Sequence, residues 1–559
     1  MKDKVSRSII LALPILFLVF FFLIPLLFIS LLALGLTPED LLGILTHDLN
    51  LYFIYWDLQQ AFLTVILCLI LGLPGSYFLA HTKLKGKSII RNLLTIPFIL
   101  PPIVVLMGFI EVFGQGGLVN QIWYSLTGFQ LVQIYNSYEG IILAHVFYNL
   151  PVIIRLAEIG WRTINPEMIG VAKSLGVSRI KILLKIQLPH LFPILATASL
   201  LVFIYAFNSF AIVLVLGGVQ YQTLEVRIYS LAKMRFDFNA AAALTLVQIM
   251  INIIVILTYL YFSSKYEIPS DEVQEFQEKS LIINPINIRN LTKLSIIGIY
   301  FSIITILSLL PIVGVFWSAL NSSLHLISFE NFFSLFDRSL ISFIGVTPVE
   351  MISNSLFFGI CVLLLSTFLA VMLNFGLNYD KTATDHSKFT LLGSVSGIII
   401  ILPLGISSIT LAFSLFSLYR LTPLYENIFI AIIIAQTLVA FPFVNRIIAA
   451  RRASIDPSLI HVARSLGASR FRTFFRIELP LLLPGIIVAG LFSFAISLGE
   501  FGATNFLARA NFATIPIGIY KLINTRNLGE AAALATILII ITVISFIVLE
   551  KFGKIEFKL

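Results

Sequence analysis

Apolar stretches long enough to cross a membrane recur from Ser8 to Glu550. A transmembrane α-helix needs about 20 mostly apolar residues, and the pattern predicts six such spans, a polar segment and six more. The predicted spans cover about residues 9–35, 61–80, 89–113, 138–157, 191–217, 239–262, 294–318, 353–374, 390–418, 427–448, 481–507 and 530–549. The fold class that we expect is therefore an all-α polytopic membrane protein with 12 transmembrane helices.

Composition supports this interpretation and excludes a soluble protein. Hydrophobic residues make up 58% of the 559-residue chain and charged residues only 12%, whereas soluble domains carry about 25% charged residues. The two cysteines, Cys68 and Cys361, both lie in apolar stretches and provide neither a disulfide framework nor a metal site.

The net charge of +9 is explained by membrane topology. An even number of spans places both termini on one side, and a cytoplasmic start assigns 29 of the 37 Lys and Arg residues to cytoplasmic segments. This excess is the usual positive-inside bias of membrane proteins. We therefore expect a multi-pass protein of the cytoplasmic membrane with both termini in the cytoplasm, and no nucleic-acid partner.

The chain contains an internal repeat. Arg162–Pro193 aligns without gaps on Ala453–Pro484, at a constant offset of 291 residues. Because each half has an even number of predicted spans, the two halves run parallel. The predicted organisation is a first repeat at 1–262 with loop 162–190, a polar linker at 263–293, and a second repeat at 294–559 with loop 453–481.

Each of the two aligned loops carries the pattern of a short capped helix. Asn165-Pro166 and Asp456-Pro457 are start signals, and Gly176 and Gly467 are stop signals. The apolar residues between them fall on one side of each helix: Met168, Val171, Ala172 and Leu175 in the first loop, and Leu459, Val462, Ala463 and Leu466 in the second. Such a helix suits docking into a groove of another protein, and packing under its own bundle is the structural alternative.

The loops resemble the EAA loop of the membrane-spanning subunits of binding-protein-dependent ABC importers, a loop that docks on the ATPase. Gly176 and Gly467 match its glycine, and Ile186–Pro189 and Ile477–Pro480 match its Ile-x-Leu-Pro. This chain has Gly170 and His461 where the family often has Glu. The residues to which the resemblance assigns ATPase coupling are Pro166, Gly170, Val171, Ala172, Leu175, Gly176, Pro189, Pro457, His461, Val462, Ala463, Leu466, Gly467 and Pro480.

The resemblance covers the whole chain as two fused subunits and implies the type I ABC importer permease fold. The segment His81–Ser88 ends in GKS but lacks the first glycine of a P-loop, so we expect no nucleotide site and no enzyme activity in this chain. The implied partners are two copies of an ABC ATPase, which bind ATP and Mg²⁺, an extracytoplasmic substrate-binding protein, and the lipid bilayer. No cofactor is expected in the chain itself.

Polar residues inside predicted spans indicate a candidate substrate path. His145 is offset by 291 residues from Gln436, Ser209 is offset equally from Glu500, and Asn208 precedes Ser209. Transporter sites often lie near the bilayer midplane between repeats, where these positions would meet. The alternative is that the five side chains only form interhelical hydrogen bonds.

Three segments resemble permeases of known substrate and so limit the choice of substrate. Tyr138–Pro151, Ser209–Lys233 and Ala495–Leu507 are similar to fused bacterial thiamine permease subunits, so thiamine is the expected substrate. Ferric iron or another small ion is the alternative, since related fused permeases transport iron and LGEFGAT in the third segment also resembles oxyanion permeases. An ion-coupled secondary transporter would not need the duplicated loops, and a membrane-embedded enzyme would need a clustered set of reactive residues.

Overall fold

The computed structural model describes residues 2–81, 87, 89–91, 93–94, 100–129, 134–264, 288–321, 327–338, 341, 344–377, 402–420, 422 and 426–553. These residues are overwhelmingly helical, and within them β-pairing is limited to one bridge, between Asn321 and Ile327. Eleven helices in the described part are long and apolar enough to cross a membrane, and Ser408–Tyr419 is a shorter apolar helix. The predicted all-α class is confirmed.

The helices alternate between long apolar segments and short connecting ones. In the first part of the chain they are α1 (Lys2–Leu18), α2 (Ile24–Leu34), α3 (Pro38–Thr46), α4 (Asp48–His81), α5 (Pro102–Phe113), α6 (Leu118–Thr127), α7 (Tyr138–Arg162), α8 (Pro166–Ser174), α9 (Arg179–Ile182), α10 (Leu188–Phe207), α11 (Ala211–Leu216), α12 (Leu224–Tyr229) and α13 (Phe238–Ser264). In the rest they are α14 (Ile288–Leu320), α15 (Glu330–Ser334), α16 (Pro348–Leu377), α17 (Ser408–Tyr419), α18 (Ile428–Ala453), α19 (Pro457–Ser465), α20 (Arg470–Thr473), α21 (Leu479–Gly499), α22 (Gly502–Leu507), α23 (Ile515–Asn524) and α24 (Leu528–Gly553).

The fifth predicted span of each repeat is interrupted. Between α10 and α11 the helix breaks at residues 208–210, and between α21 and α22 it breaks at residues 500–501. Hydropathy did not predict these breaks because the polar residues Asn208, Ser209 and Glu500 are flanked on both sides by long apolar stretches, which keep the average hydropathy of each span high. Most of the predicted linker at 263–293 and the first part of the predicted span at 390–418 lie outside the described residues.

The described chain forms two compact units, each of which includes parts of both predicted repeats. One unit comprises residues 1–44, 228–246 and 318–559, and the other comprises 45–227 and 247–317. The repeats were defined by aligning the sequence with itself, and the compact units are defined by contacts in the structure. The units therefore do not test the division into repeats at 1–262 and 294–559, which stays a prediction.

In the unit of residues 45–227 and 247–317, helices α4, α7 and α10 pack together. The close approach of α5 to α14 requires glycine at Gly108, because a Cβ there would lie 2.1 Å from the Pro311 carbonyl oxygen. Beside α8 lies an apolar cluster of Ala80, Ala157, Trp161, Ile164, Leu191 and Ile194. This cluster anchors the first loop.

In the unit of residues 1–44, 228–246 and 318–559, helices α16, α18 and α21 pack together. Phe375, Phe474 and Leu482 form a buried cluster beside the second loop. The rings of Phe375 and Phe474 lie 4.1 Å apart between centroids. Burying these aromatic side chains holds the base of that loop against the end of α16.

Candidate functional site

Helix α8 has a defined start and stop, as its sequence predicted. The Asn165 Oδ1 atom accepts the Glu167 backbone N–H at 2.8 Å, and Pro166 is the first helical residue. At the other end Gly176 has φ of +75°, the left-handed conformation that glycine adopts without strain. The Gly176 and Val177 backbone N–H groups donate to carbonyls of the last helical turn, which is a Schellman motif.

Helix α19 repeats this geometry in the second loop. The Asp456 Oδ1 atom accepts the Ser458 backbone N–H at 2.9 Å, and Gly467 has φ of +82°. The hydrogen bonds from Ser458 lower the pKa of the Asp456 carboxyl below its ordinary value. The two loops therefore share one local fold, with a neutral cap in the first and an ionisable cap in the second.

Both helices expose apolar side chains. Leu175 and Leu466 are 77% and 82% exposed, and Val171 and Val462 are 61% and 59% exposed. Ala172 is buried, whereas Ala463 and His461 are half-buried and Gly170 lies at the exposed surface. Exposed leucines at the ends of short, well-capped helices are suited to contact a partner.

Each Ile-x-Leu-Pro segment begins in the last two residues of a π turn. Residues Leu183–Gln187 and Phe474–Glu478 each form a π-helical turn that leads directly into the next long helix. Pro189 and Pro480 lack the N–H that would continue an α-helical ladder, so the preceding turn widens to i→i+5 bonds. The proline of the motif thus sets the joint between each loop and the interrupted fifth span.

The predicted path residues His145 and Ser209 are in contact. The His145 Nε2 atom lies 2.8 Å from Ser209 Oγ, and its Nδ1 atom lies 2.8 Å from Gln60 Oε1. The Gln60 amide donates to Asp57 Oδ1 at 2.9 Å, and Asp57 Oδ2 accepts the backbone N–H of Leu224 at 2.8 Å. A chain of buried polar groups thus leads from the break at residues 208–210 to helix α4.

Asn208, also a predicted path residue, belongs to a separate amide cluster. Its Oδ1 atom accepts hydrogen bonds from Gln248 at 3.1 Å and from Asn252 at 3.0 Å. Both donors lie on α13 and are buried. The cluster joins the interrupted fifth span to the sixth span through side-chain amides.

The predicted path residues Gln436 and Glu500 are linked through one hydroxyl. Thr504 Oγ1 lies 2.8 Å from Gln436 Nε2 and 2.5 Å from Glu500 Oε2. The Glu500 carboxylate also accepts the backbone N–H groups of Ala503 and Thr504, the first free donors of α22. Ser497 Oγ donates to Gln436 Oε1 at 2.5 Å.

Sequence reasoning missed six side chains of these clusters, among them Gln248 and Asn252 on α13, whose equivalents 291 residues later are the apolar Ile539 and Val543. Asp57 and Gln60 were missed because they precede the predicted span at 61–80, and because the comparison of repeats matches them to Pro348 and Met351, which are not polar. Their spacing of three residues, which places both side chains on one face of a helix, was the available signal. Ser497 and Thr504 were missed because small hydroxyl side chains are common in transmembrane helices, where they bond to their own backbone.

The comparisons with known proteins agree with this architecture. Residues 72–268 and 383–553 each match the family "Binding-protein-dependent transport system inner membrane component". Each match includes one of the two loops and one of the interrupted fifth spans. The two matches together cover well over half of the chain.

Curated relatives extend over almost the whole sequence. The thiamine transport system permease protein ThiP of Haemophilus influenzae is 28% identical over 509 residues, which is 90% of this chain and 88% of that protein. The ThiP proteins of Salmonella typhimurium and Escherichia coli are 24% and 25% identical, over 89% of this chain in both cases. This chain is therefore a multi-pass membrane protein that belongs to the family of inner membrane components of binding-protein-dependent transport systems, as a fused ABC importer permease with two copies of the family's domain.

Proposed function

We propose that this chain forms the translocation path of an ATP-driven importer for thiamine. The observation that carries the substrate assignment is the match to thiamine permeases, which extends over about 90% of both chains in the Haemophilus influenzae case. In this proposal an extracytoplasmic binding protein delivers the substrate, and both termini of the 12-span chain lie in the cytoplasm.

The exposed helices α8 and α19 each dock one ATPase subunit. Their caps fix the helix ends, and Leu175 and Leu466 are exposed apolar anchors of the kind that fill a pocket in a partner. ATP and Mg²⁺ are bound by the ATPase, which supplies the hydrolysis, so the permease itself is not an enzyme. To drive transport, the docking surfaces must bind the ATPase pair differently in the two states of the cycle.

The substrate path runs along the interrupted fifth spans. Non-helical backbone at membrane depth is tolerated where protein buries it or where it lines a polar cavity. In the proposed path the polar lining from the first repeat consists of His145, Asn208 and Ser209. The polar lining from the second repeat consists of Gln436 and Glu500.

The experiment is uptake into proteoliposomes that contain this chain and its ATPase, with the binding protein and the solute added outside. The proposal expects labelled thiamine to accumulate only with internal ATP, whereas ferric iron does not accumulate. A second solute for the panel is 2-aminoethylphosphonate, because the putative 2-aminoethylphosphonate permease PhnU of Salmonella choleraesuis is 28% identical over 198 residues. Accumulation of either competitor without thiamine contradicts the substrate assignment, and ATP-independent uptake contradicts the importer mechanism.

A further inference from the structure

A buried ion pair joins the two ends of the second loop. The Arg452 Nη2 atom lies 2.5 Å from Glu478 Oε2, and the two side chains are only 10% and 2% exposed. Arg452 is near the end of α18, and Glu478 is the last residue of the π turn before α21. The pair therefore closes loop 453–481 at its base, with α19 held within it.

The same arginine also reaches the second span of that repeat. Arg452 Nη1 donates to the backbone carbonyl of Asn374 on α16, and the Asn374 side chain donates to Asn445 Oδ1 on α18 at 2.7 Å. The neighbouring Phe375 ring packs on Phe474 in the π turn. Three long helices thus meet at one guanidinium group.

The first loop, all of whose residues at 162–190 are described, lacks this arrangement. Trp161 and Gln187 occupy the positions 291 residues before Arg452 and Glu478. Trp161 Nε1 donates to Ser76 Oγ at 3.1 Å, and its ring lies in the apolar cluster beside α8. The buried carboxylate Glu158 pairs with Arg162 one turn along the same helix, at 3.0 Å, and with Arg91, which precedes α5, so it does not bridge the ends of the loop.

We infer that Arg452 and Glu478 are positioning residues, whose ion pair transmits movement of helix α19 to the fifth span α21 in the second repeat. Two charges removed from water are stable only while they stay paired, so the base of this loop keeps one geometry. A displacement of α19 then moves α21 and α16 and is not absorbed by bending of the loop. The transmission role rests on the proposed docking of the ATPase, whereas the mechanical link does not.

The link is tested by hydrogen exchange on the full chain in lipid nanodiscs. In Glu478→Gln, peptides that cover residues 470–482 should exchange about tenfold faster, because local opening no longer separates opposite charges. Peptides that cover 179–191 report the equivalent stretch of the first repeat in the same molecule and should not change. Gln187→Leu alters the counterpart of Glu478 and should leave exchange at 470–482 as in the wild type.

The transmission role is tested on the complex with the ATPase and a binding protein loaded with thiamine. Glu478→Gln should keep the ATPase bound but reduce the stimulation of ATP hydrolysis to about a third or less, whereas Glu478→Asp, which keeps a carboxylate opposite Arg452, should retain much of it. If Glu478→Gln does not fold, Arg452→Lys replaces it, since lysine keeps the charge but cannot form the two-sided contact with Glu478 and Asn374.

The outcomes separate the two claims. Unchanged exchange at 470–482 overturns the mechanical link, and faster exchange with wild-type stimulation overturns the transmission role. If the wild-type complex is not stimulated at all, the proposed function fails, while the exchange measurement still decides whether the link exists.

Discussion

His145 Nε2 lies 2.8 Å from Ser209 Oγ, so the fourth span of the first repeat is bonded to the break in the fifth span. The residues 291 positions later, Gln436 and Glu500, are joined through the hydroxyl of Thr504. Each repeat therefore fixes its interrupted span with a polar side chain from its own fourth span. The contacts differ in detail, because His145 bonds to Ser209 in the break itself, whereas Gln436 bonds to Ser497 and Thr504 on either side of the break.

Two replacements of His145 distinguish the contribution of its hydrogen bonds to stability from the contribution of its side-chain volume. His145→Leu leaves Ser209 and Gln60 without this partner in a buried site, and we expect a loss of about 1–3 kcal/mol in stability. His145→Gln introduces the residue of the second repeat and should lose less, because an amide can both donate and accept. Thermal unfolding of the chain in detergent measures both variants. Equal stability of the leucine variant and the wild type would show that the bond contributes nothing.

Glu500 is expected to affect transport more than assembly. Glu500→Ala removes the acceptor of the Ala503 and Thr504 backbone N–H groups, so the start of α22 loses its bonds and uptake should fall at limiting substrate. Co-purification of the ATPase reports assembly and should be retained. Thr504→Val is the matched control, because it breaks the link to Gln436 but keeps the carboxylate. Uptake at the wild-type rate in Glu500→Ala would remove this residue from the path.

The two docking helices should differ in their response to acid. The lowered pKa of Asp456 means that its cap is complete above the ordinary carboxyl pKa of 3.8 and is lost as the pH falls through the lower folded value. Hydrogen exchange of peptides that cover 457–465, corrected for the intrinsic rate, should therefore rise in this acidic range. The cap of α8 is Asn165, which does not titrate, so exchange at 166–174 should show no matching rise. Asp456→Asn should abolish the difference between the helices.

Much of the fold was predictable because its signals are local. Apolar stretches of the required length mark the spans, and Pro166, Pro457, Gly176 and Gly467 mark the ends of the docking helices. These features depend on backbone geometry that each short segment imposes on itself. The constant offset of 291 residues also identifies His145 and Gln436 as equivalent positions, and each of them bonds near the break in its own repeat.

The features that sequence did not predict depend on contacts between distant segments. The breaks at 208–210 and 500–501 are flanked by apolar sequence on both sides, and each is held in part by a side chain from another helix, His145 in the first repeat and Gln436 in the second. The pair of Arg452 and Glu478 spans 26 residues and has no counterpart in the first repeat, so comparison of repeats could not find it. Asp57 was also not found in this way, because the equivalent residue in the second repeat is Pro348, which is not polar.

The central claim is that α8 and α19 each hold one ATPase subunit, and native mass spectrometry of the complex without nucleotide counts the bound subunits directly. Replacing an exposed anchor leucine by aspartate should weaken one docking contact by about 2 kcal/mol or more, which is about thirtyfold, without disturbing the buried part of the chain. Leu126→Asp on α6 is the control, because Leu126 is 76% exposed and lies outside both loops.

We predict two ATPase subunits on the wild-type chain and on Leu126→Asp, one on Leu466→Asp, and none on Leu175→Asp with Leu466→Asp. Two subunits retained on the double variant would contradict the account.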